Sequence, residues 1–183
     1  MGRFLLGVIV TLLVLILGGL GFAMLGFFPT NANVTPPGIE KRIANGALDA
    51  SMERHAPHLT SPVQPNDQNL EDGMKLYTMH CALCHGGLDR KPNSLTNSFY
   101  PPAPNLISDP PDDPEWHVFY TIRTGIRYTG MPAWDKTLSE PDLWKVTAFL
   151  TRVDKLPPAV QDYWKKSSGV NPPTSGQEGH DHK

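Results

Sequence analysis

The sequence Cys81-Ala82-Leu83-Cys84-His85 sets the architecture of most of the chain. Its two thiols are three positions apart, so on a helix they lie on one side and both reach the two vinyl groups of a single porphyrin. The imidazole of the next residue, His85, then faces the iron from the proximal side. The C-x-x-C-H pattern is typical of c-type haem attachment. It predicts one haem c bound covalently through Cys81 and Cys84, with His85 as an axial ligand of the iron.

A Cys-x-x-Cys pair also occurs in redox dithiols and in zinc sites. A zinc site built on thiolates requires further cysteine or histidine pairs, and this chain contains two cysteines in all. A thioredoxin-like dithiol requires a βαβ context, and we find no such pattern near the motif. Haem attachment is therefore the interpretation that the sequence favours.

The second part of the site is residues 129–134, Thr-Gly-Met-Pro-Ala-Trp. A haem iron held by one histidine has an open sixth position, and a methionine thioether fills it in electron-transfer cytochromes. Met131 lies between a glycine and a proline in a loop, which makes it the predicted sixth ligand. The alternatives are that Met131 fills the core or that His117 is the ligand. The other methionines lie in the apolar N-terminal segment, upstream of the haem-binding unit or on the helix of the motif: Met1, Met24, Met52, Met74 and Met79.

Together these motifs resemble a class I c-type cytochrome, of the single-haem kind found in bacterial respiratory chains. The resemblance covers about Asn66 to Trp164. It rests on Gly73-Met-Lys-Leu-Tyr77, Cys81 to Gly86, Ala103-Pro104-Asn105-Leu106, Gly130 to Trp134 and a final aromatic helix. It implies an all-α fold, in which three to five helices surround one covalent haem.

The resemblance also implies roles for individual residues around the haem. The Pro104 carbonyl is expected to accept a hydrogen bond from His85 Nδ1–H, and Leu106 is expected to pack on the ring. The helix that contains Gly73 is expected to cross the last helix of the domain. Arg127 and Trp134 flank the methionine loop and are candidates for contact with the haem propionates. For Arg127, an exposed charge with no such role is an equally open interpretation.

Three helices are predicted in this domain from capping residues and apolar spacing. The first has Asn69 as its N-cap, the second has Asp113 and the third has Ser139. A long loop over residues 88–112 separates the first two helices and is expected to wrap the haem edge. The buried side of the second helix is predicted to consist of Trp116, Phe119, Ile122 and Ile126.

The N-terminal segment from Phe4 to Phe28 is apolar and long enough to cross a bilayer core of about 30 Å. We interpret it as a retained transmembrane helix, and a cleaved signal peptide is the alternative. Arg3 is the one charged side chain before it, so the positive-inside rule leaves the N-terminus in the cytoplasm. The predicted location is therefore the inner membrane, single-pass, with the haem domain on the periplasmic side.

The predicted organisation has four parts. Residues 1–28 are the anchor, and residues 29–65 are a periplasmic linker that contains a helix over about Ile39 to Arg54. Residues 66–166 are the cytochrome c domain, with a short helical turn near its end. Residues 167–183 are a disordered tail, because they are rich in Ser, Gly, Pro and His.

The sequence predicts one-electron transfer between a redox donor and a redox acceptor protein, with no catalytic residues. A net charge of −2 argues against nucleic acid as a partner. One alternative is a cytochrome c subunit of a larger oxidase or dehydrogenase complex in the membrane. Another is a haem peroxidase or a gas sensor, which would require a labile sixth ligand.

Overall fold

The computed structural model describes residues 1–27, 29–91 and 95–173, and within them it contains helices and no strand. This confirms the all-α fold class. The chain forms two compact units, Met1–Ala32 and Asn33–Lys183. The α-helices are α1 (Gly2–Met24), α2 (Gly38–His55), α3 (Asp67–His80), α4 (Ala82–His85), α5 (Glu115–Thr124), α6 (Glu140–Leu150) and α7 (Pro158–Ser168), with 3₁₀ turns at Thr96–Ser98 and Val153–Lys155.

Helix α1 has the length and composition of a membrane span, although a signal sequence near the N-terminus has the same properties. None of its residues is buried. Its one hydroxyl group, Thr11 Oγ1, donates to the Gly7 carbonyl at 2.9 Å. That bond satisfies the polar group within the helix, which is what a helix in an apolar environment requires.

Helices α3 and α6 cross at Gly73, as the resemblance implied. A Cβ atom on Gly73 would lie 2.2 Å from the Lys145 carbonyl oxygen, so the two backbones approach as closely as a glycine allows. Beside the crossing, Lys145 Nζ lies 3.2 Å from Asp72 Oδ2. The buried side chains of the crossing come from both helices: Leu70, Met74 and Tyr77 from α3, and Leu143, Val146 and Phe149 from α6.

Helix α5 packs on another side of α6. The Phe119 ring stacks on the Trp144 indole with centroids 3.8 Å apart, and Arg152 forms an ion pair with Glu115. The prediction for Trp116 was wrong, because the buried face centres on Val118, Phe119 and Ile122 and position 116 lies at its edge. The Trp116 ring is half-buried and instead stacks on His58 at 4.0 Å.

Two of the three predicted helix caps were wrong. Asn66 caps α3, since its Oδ1 accepts from Asn69 N at 2.9 Å. Asn69 uses its own side-chain amide to donate to the Gln64 carbonyl, so it holds the segment before the helix. Pro114 rather than Asp113 precedes α5. The Ser139 cap of α6 is confirmed, because Ser139 Oγ accepts from Asp142 N at 3.3 Å.

The C-terminal part of the domain is more ordered than the sequence predicted. Helix α7 continues to Ser168, so the predicted start of the tail at residue 167 was wrong. The helix is held by Val160 and Trp164, which are fully buried, and it ends at Gly169 in the left-handed conformation. Residues 174–183, with their two histidines, lie outside the described residues.

Helix α2 lies within the predicted linker and matches the helix expected there. Most of it is exposed, and Ile39 and Ile43 are each 65% accessible. Its C-terminal end is buried at Met52, and the chain just after it is buried at Ala56. The segment after α2 therefore packs on the protein and is not a plain solvated loop.

The crossing at Gly73 generates a stability prediction. Gly73→Ala should lower the free energy of unfolding by about 2–4 kcal/mol, because α3 and α6 must separate to admit the methyl group. Gly46→Ala in exposed α2 is the matched control, since a Cβ there has no neighbour within 4 Å. That change should be neutral or stabilise by up to about 1 kcal/mol. Chemical denaturation of both variants checks this, and an equal effect of the two would contradict it.

Candidate haem site

The C-x-x-C-H motif lies at a break between two helices. Helix α3 ends at His80, Cys81 has φ −110°, and the short helix α4 contains the rest of the motif. The backbone amides of Cys84 and His85 both donate to the Cys81 carbonyl, at 3.1 and 2.9 Å. Gly86, with φ +88°, ends the helical stretch. The two thiols and the imidazole are thus presented within one turn.

The imidazole of His85 is oriented by the loop that wraps the site. His85 Nδ1 donates to the Pro104 carbonyl at 2.9 Å, the contact that the resemblance implied. Burial lowers the pKa of His85, and the hydrogen bond to Pro104 opposes this. A neutral imidazole with Nδ1 engaged leaves Nε2 as the ligating atom, which is the arrangement of a metal-bound histidine.

The backbone of the motif is held by two hydroxyl groups. Tyr77 donates to the carbonyls of His85 and Gly86, at 3.1 and 2.7 Å. Thr96 Oγ1 donates to the Cys84 carbonyl at 3.0 Å. Burial, and next the nearby Cys81, raise the pKa of Tyr77, so the phenol stays protonated and remains a donor. Tyr77 belongs to a motif on which the resemblance rests, but Thr96 was not identified from the sequence, because nothing in its neighbourhood marks it.

The environment of Cys81 does not favour a thiolate. Both cysteines are free of disulfides. Burial, with a smaller contribution from Cys84, raises the pKa of the Cys81 thiol to about 12. A redox dithiol acts as a thiolate, and its pKa is lowered by its surroundings. The setting of Cys81 thus disfavours a redox dithiol.

The loop that contains Pro104 packs closely on the end of the motif, where Asn105 contacts Gly86. A Cβ atom on Gly86 would lie 2.8 Å from the Asn105 amide. The Asn105 side chain accepts from the amides of Ile107 and Ser108, both at 3.1 Å, which fixes a tight turn. Leu106 is partly buried and packs on the core. The carbonyl of Pro104 is therefore presented by a rigid segment.

The Met131 loop is fixed by contacts on both sides of the methionine. Met131 N donates to Thr129 Oγ1 at 3.1 Å, and the Met131 carbonyl accepts from Ile126 N at 3.1 Å. The loop also packs closely on Gly125, where a Cβ would lie 2.6 Å from the Pro132 carbonyl carbon. Met131 is partly buried against the core. These contacts restrict the backbone from which the thioether projects.

The remaining candidates lie in α5 and in the segment that follows it. Trp134 is partly buried and lies edge-on to His80, with centroids 5.5 Å apart. Arg127 is exposed, and Tyr128 beside it is 91% accessible. His117 Nδ1 lies 3.7 Å from Asp113 Oδ1 at the start of α5. Propionate contacts by Arg127 and Trp134 stay predictions.

The donor set fits a c-type haem. It comprises two free thiols in one helical turn, an imidazole whose Nδ1 is engaged by a carbonyl, and a thioether on a separately fixed loop. Cysteine pairs attach haem c, and histidine and methionine are the axial ligands of electron-transfer cytochromes. Leu106 and Met131 are both partly buried and packed against the core.

Comparison with known proteins agrees with this site. Residues 68–150 match the family model described as cytochrome c oxidase, cbb3-type, subunit III. That part of the chain, all-helical and with the C-x-x-C-H motif, is a class I c-type cytochrome domain. Such a domain implies haem c and indicates an electron carrier or a subunit of a redox complex.

A structural comparison finds a weaker similarity. A chain of the reducing HAO-like protein complex of Kuenenia stuttgartiensis is 22% identical, with a TM-score of 0.43. The match covers 51% of the present chain and 48% of that one, so it spans about half the length of the solved chain. No curated protein matches the sequence.

The hydrogen bonds of Tyr77 generate a second stability prediction. Tyr77→Phe should lower the free energy of unfolding of the haem-loaded protein by about 1–3 kcal/mol, because the Gly86 carbonyl loses its donor in a buried setting while the His85 carbonyl keeps only the Leu106 amide. Chemical denaturation followed by circular dichroism measures it. Tyr163→Phe, at a partly exposed ring on α7, is the control and should cost less than about 0.5 kcal/mol.

Proposed function

We propose that the chain is a membrane-tethered monohaem cytochrome c that accepts one electron from a donor protein and passes it to an acceptor protein. The observation that carries the proposal is the fixed backbone of Met131, held by Thr129 and Ile126. A thioether on so restrained a loop suits a permanent sixth ligand. A permanent ligand suits electron transfer, since no bond to the iron has to break between the two oxidation states.

In this proposal Cys81 and Cys84 attach one haem, and His85 and Met131 are its axial ligands. The bound iron supplies the redox change. The chain contributes a fixed geometry. Pro104 holds the imidazole of His85, and the partly buried Leu106 and Trp134 limit the access of water. Rigid ligands and a dry pocket reduce the reorganisation that accompanies a change of charge.

The proposed location is the inner membrane, with the haem domain on the periplasmic side. It is supported by the exposed apolar surface of α1 and by Arg3 as the one charged side chain before the apolar stretch. In the proposed organisation residues 1–28 are the anchor and 29–65 a connecting segment, and the cytochrome domain runs from residue 66 to the end of α7 and is followed by the tail. Docking to redox partners is expected to be weak and brief, through a small interface.

A second candidate function is that of a cytochrome c subunit in a larger membrane oxidase or dehydrogenase. The observation in its favour is the name of the matching family, subunit III of cbb3-type cytochrome c oxidase. Purification of the full chain in mild detergent distinguishes the two. A stoichiometric partner with its own redox centre supports the subunit, and a monodisperse single chain supports the free carrier. A peroxidase or gas sensor would instead need Met131 to be displaced readily.

The sixth ligand generates the test of the proposed function. The purified, oxidised protein should show the weak far-red absorption band that reports an iron–sulfur bond. Met131→Ala should abolish the band, allow carbon monoxide to bind the reduced form, and lower the reduction potential by more than about 0.1 V, within the ~0.8 V range that axial ligands span.

Met79→Ala is the matched control, because Met79 is 65% exposed on α3 and is not a candidate ligand. The band and the potential should be unchanged in that variant. If the native protein lacked the band and bound carbon monoxide readily, the carrier proposal would be rejected in favour of a sensor or an enzyme.

A further inference from the structure

The sixth-ligand loop is in contact with a side chain that the sequence did not single out. A Cβ atom on Gly130, the residue before Met131, would lie 2.4 Å from Phe99 Cδ1 and 2.9 Å from Phe99 Cε1. The Phe99 ring therefore lies directly against the backbone of Gly130. Movement of this loop towards Phe99 is blocked, because an aromatic ring cannot be compressed.

Phe99 is connected to the C-x-x-C-H motif through the neighbouring 3₁₀ turn. It directly follows the 3₁₀ turn Thr96–Ser98. Thr96 donates its hydroxyl to the Cys84 carbonyl at 3.0 Å, and its own carbonyl accepts from Ala103 N at 3.0 Å. The ring thus extends from a segment fixed to the proximal side of the site towards the loop that carries the predicted distal ligand.

The neighbouring residue connects this segment to α2. Tyr100 Oη donates to Glu40 Oε1 at 2.7 Å, across sixty positions of sequence. The hydrogen bond to Glu40 raises the pKa of Tyr100, which keeps the phenol protonated as a donor. A second contact, the stack of His58 on Trp116, holds the chain just after α2. Helix α2 lies outside residues 68–150, the part that matches the cytochrome family.

We propose that α2 positions the sixth ligand, with Glu40, Tyr100 and Phe99 as positioning residues. Glu40 fixes Tyr100, the backbone carries that restraint to Phe99, and the Phe99 ring limits the Gly130–Met131 backbone. The proposal rests on Met131 as the axial ligand. In this proposal the segment after the anchor contributes to the geometry of the haem site and is not only a spacer. Loss of the Glu40–Tyr100 contact should increase the fraction of molecules in which Met131 leaves the iron.

The experiment measures imidazole binding to the oxidised, full-length protein in detergent, followed by the loss of the far-red band. Glu40→Ala and Tyr100→Phe should each raise the apparent imidazole affinity about threefold to tenfold. The double variant should resemble the single ones, because both changes remove the same hydrogen bond. Phe99→Ala should have the larger effect, since the ring itself is lost.

Asp49→Ala is the matched control, as an exposed acidic residue on the same helix. It should leave the imidazole affinity unchanged. Glu40 is exposed, so its variant should fold even where Phe99→Ala fails to do so. A merely structural role would lower the unfolding midpoint of Glu40→Ala and leave the imidazole affinity at the native value.

Unchanged affinity in both Glu40→Ala and Tyr100→Phe, or additive effects in the double variant, would overturn the proposal. These results leave the proposed function intact as long as the native protein shows the far-red band. Absence of the band in the native protein is the separate failure of the Met131 assignment itself.

Discussion

The close crossing of α3 and α6 at Gly73 is the constraint on which the rest of the haem domain depends. The Lys145 carbonyl occupies the space where any other residue at position 73 would have its side chain. The crossing sets the direction in which α3 runs and therefore where the motif at its end begins. The opposite side of α6 carries Trp144, which stacks on Phe119 of α5. One helix thus holds both the element that leads to the cysteines and the element that leads to the Met131 loop.

The two proposed axial ligands are fixed by different kinds of contact. The Pro104 carbonyl accepts from the His85 ring, and the carbonyl of His85 itself accepts from Tyr77. The position of His85 therefore depends on hydrogen bonds. Met131 is held by a loop whose amides return to the end of α5, where Trp134 N donates to the Ile122 carbonyl at 3.2 Å. The ring of His85 is held by Pro104 across nineteen positions of sequence, whereas the hydrogen bonds of the Met131 backbone stay within its own loop. A side chain packed against that loop, such as Phe99 at Gly130, is therefore able to influence the position of the methionine.

The segment around α2, which belongs to the second unit, has a different character from the spacer that its composition indicates. Proline-rich sequence on both sides of α2 is typical of linkers, yet Ala56 is buried and His58 stacks on Trp116. An aromatic stack and a charged hydrogen bond to Tyr100 are each modest. Acting at the two ends of one helix, they hold it on the domain more firmly than either does alone.

The sequence by itself determined the elements whose signal is local. The C-x-x-C-H motif, the candidate Met131 loop and the Ser139 cap depend on residues a few positions apart, and spacing alone reveals them. The resemblance to a known family added two longer contacts, the Gly73 crossing and the Pro104 carbonyl on His85. Only the tertiary structure decided that Asn66 rather than Asn69 caps α3, because two asparagines three apart compete for one role. It also decided that Thr96 holds Cys84, that Phe99 lies on Gly130 and that Glu40 reaches Tyr100. Each of those contacts joins two residues that are far apart in sequence. No motif or periodic pattern links the two residues, so the contact is visible only in the folded chain.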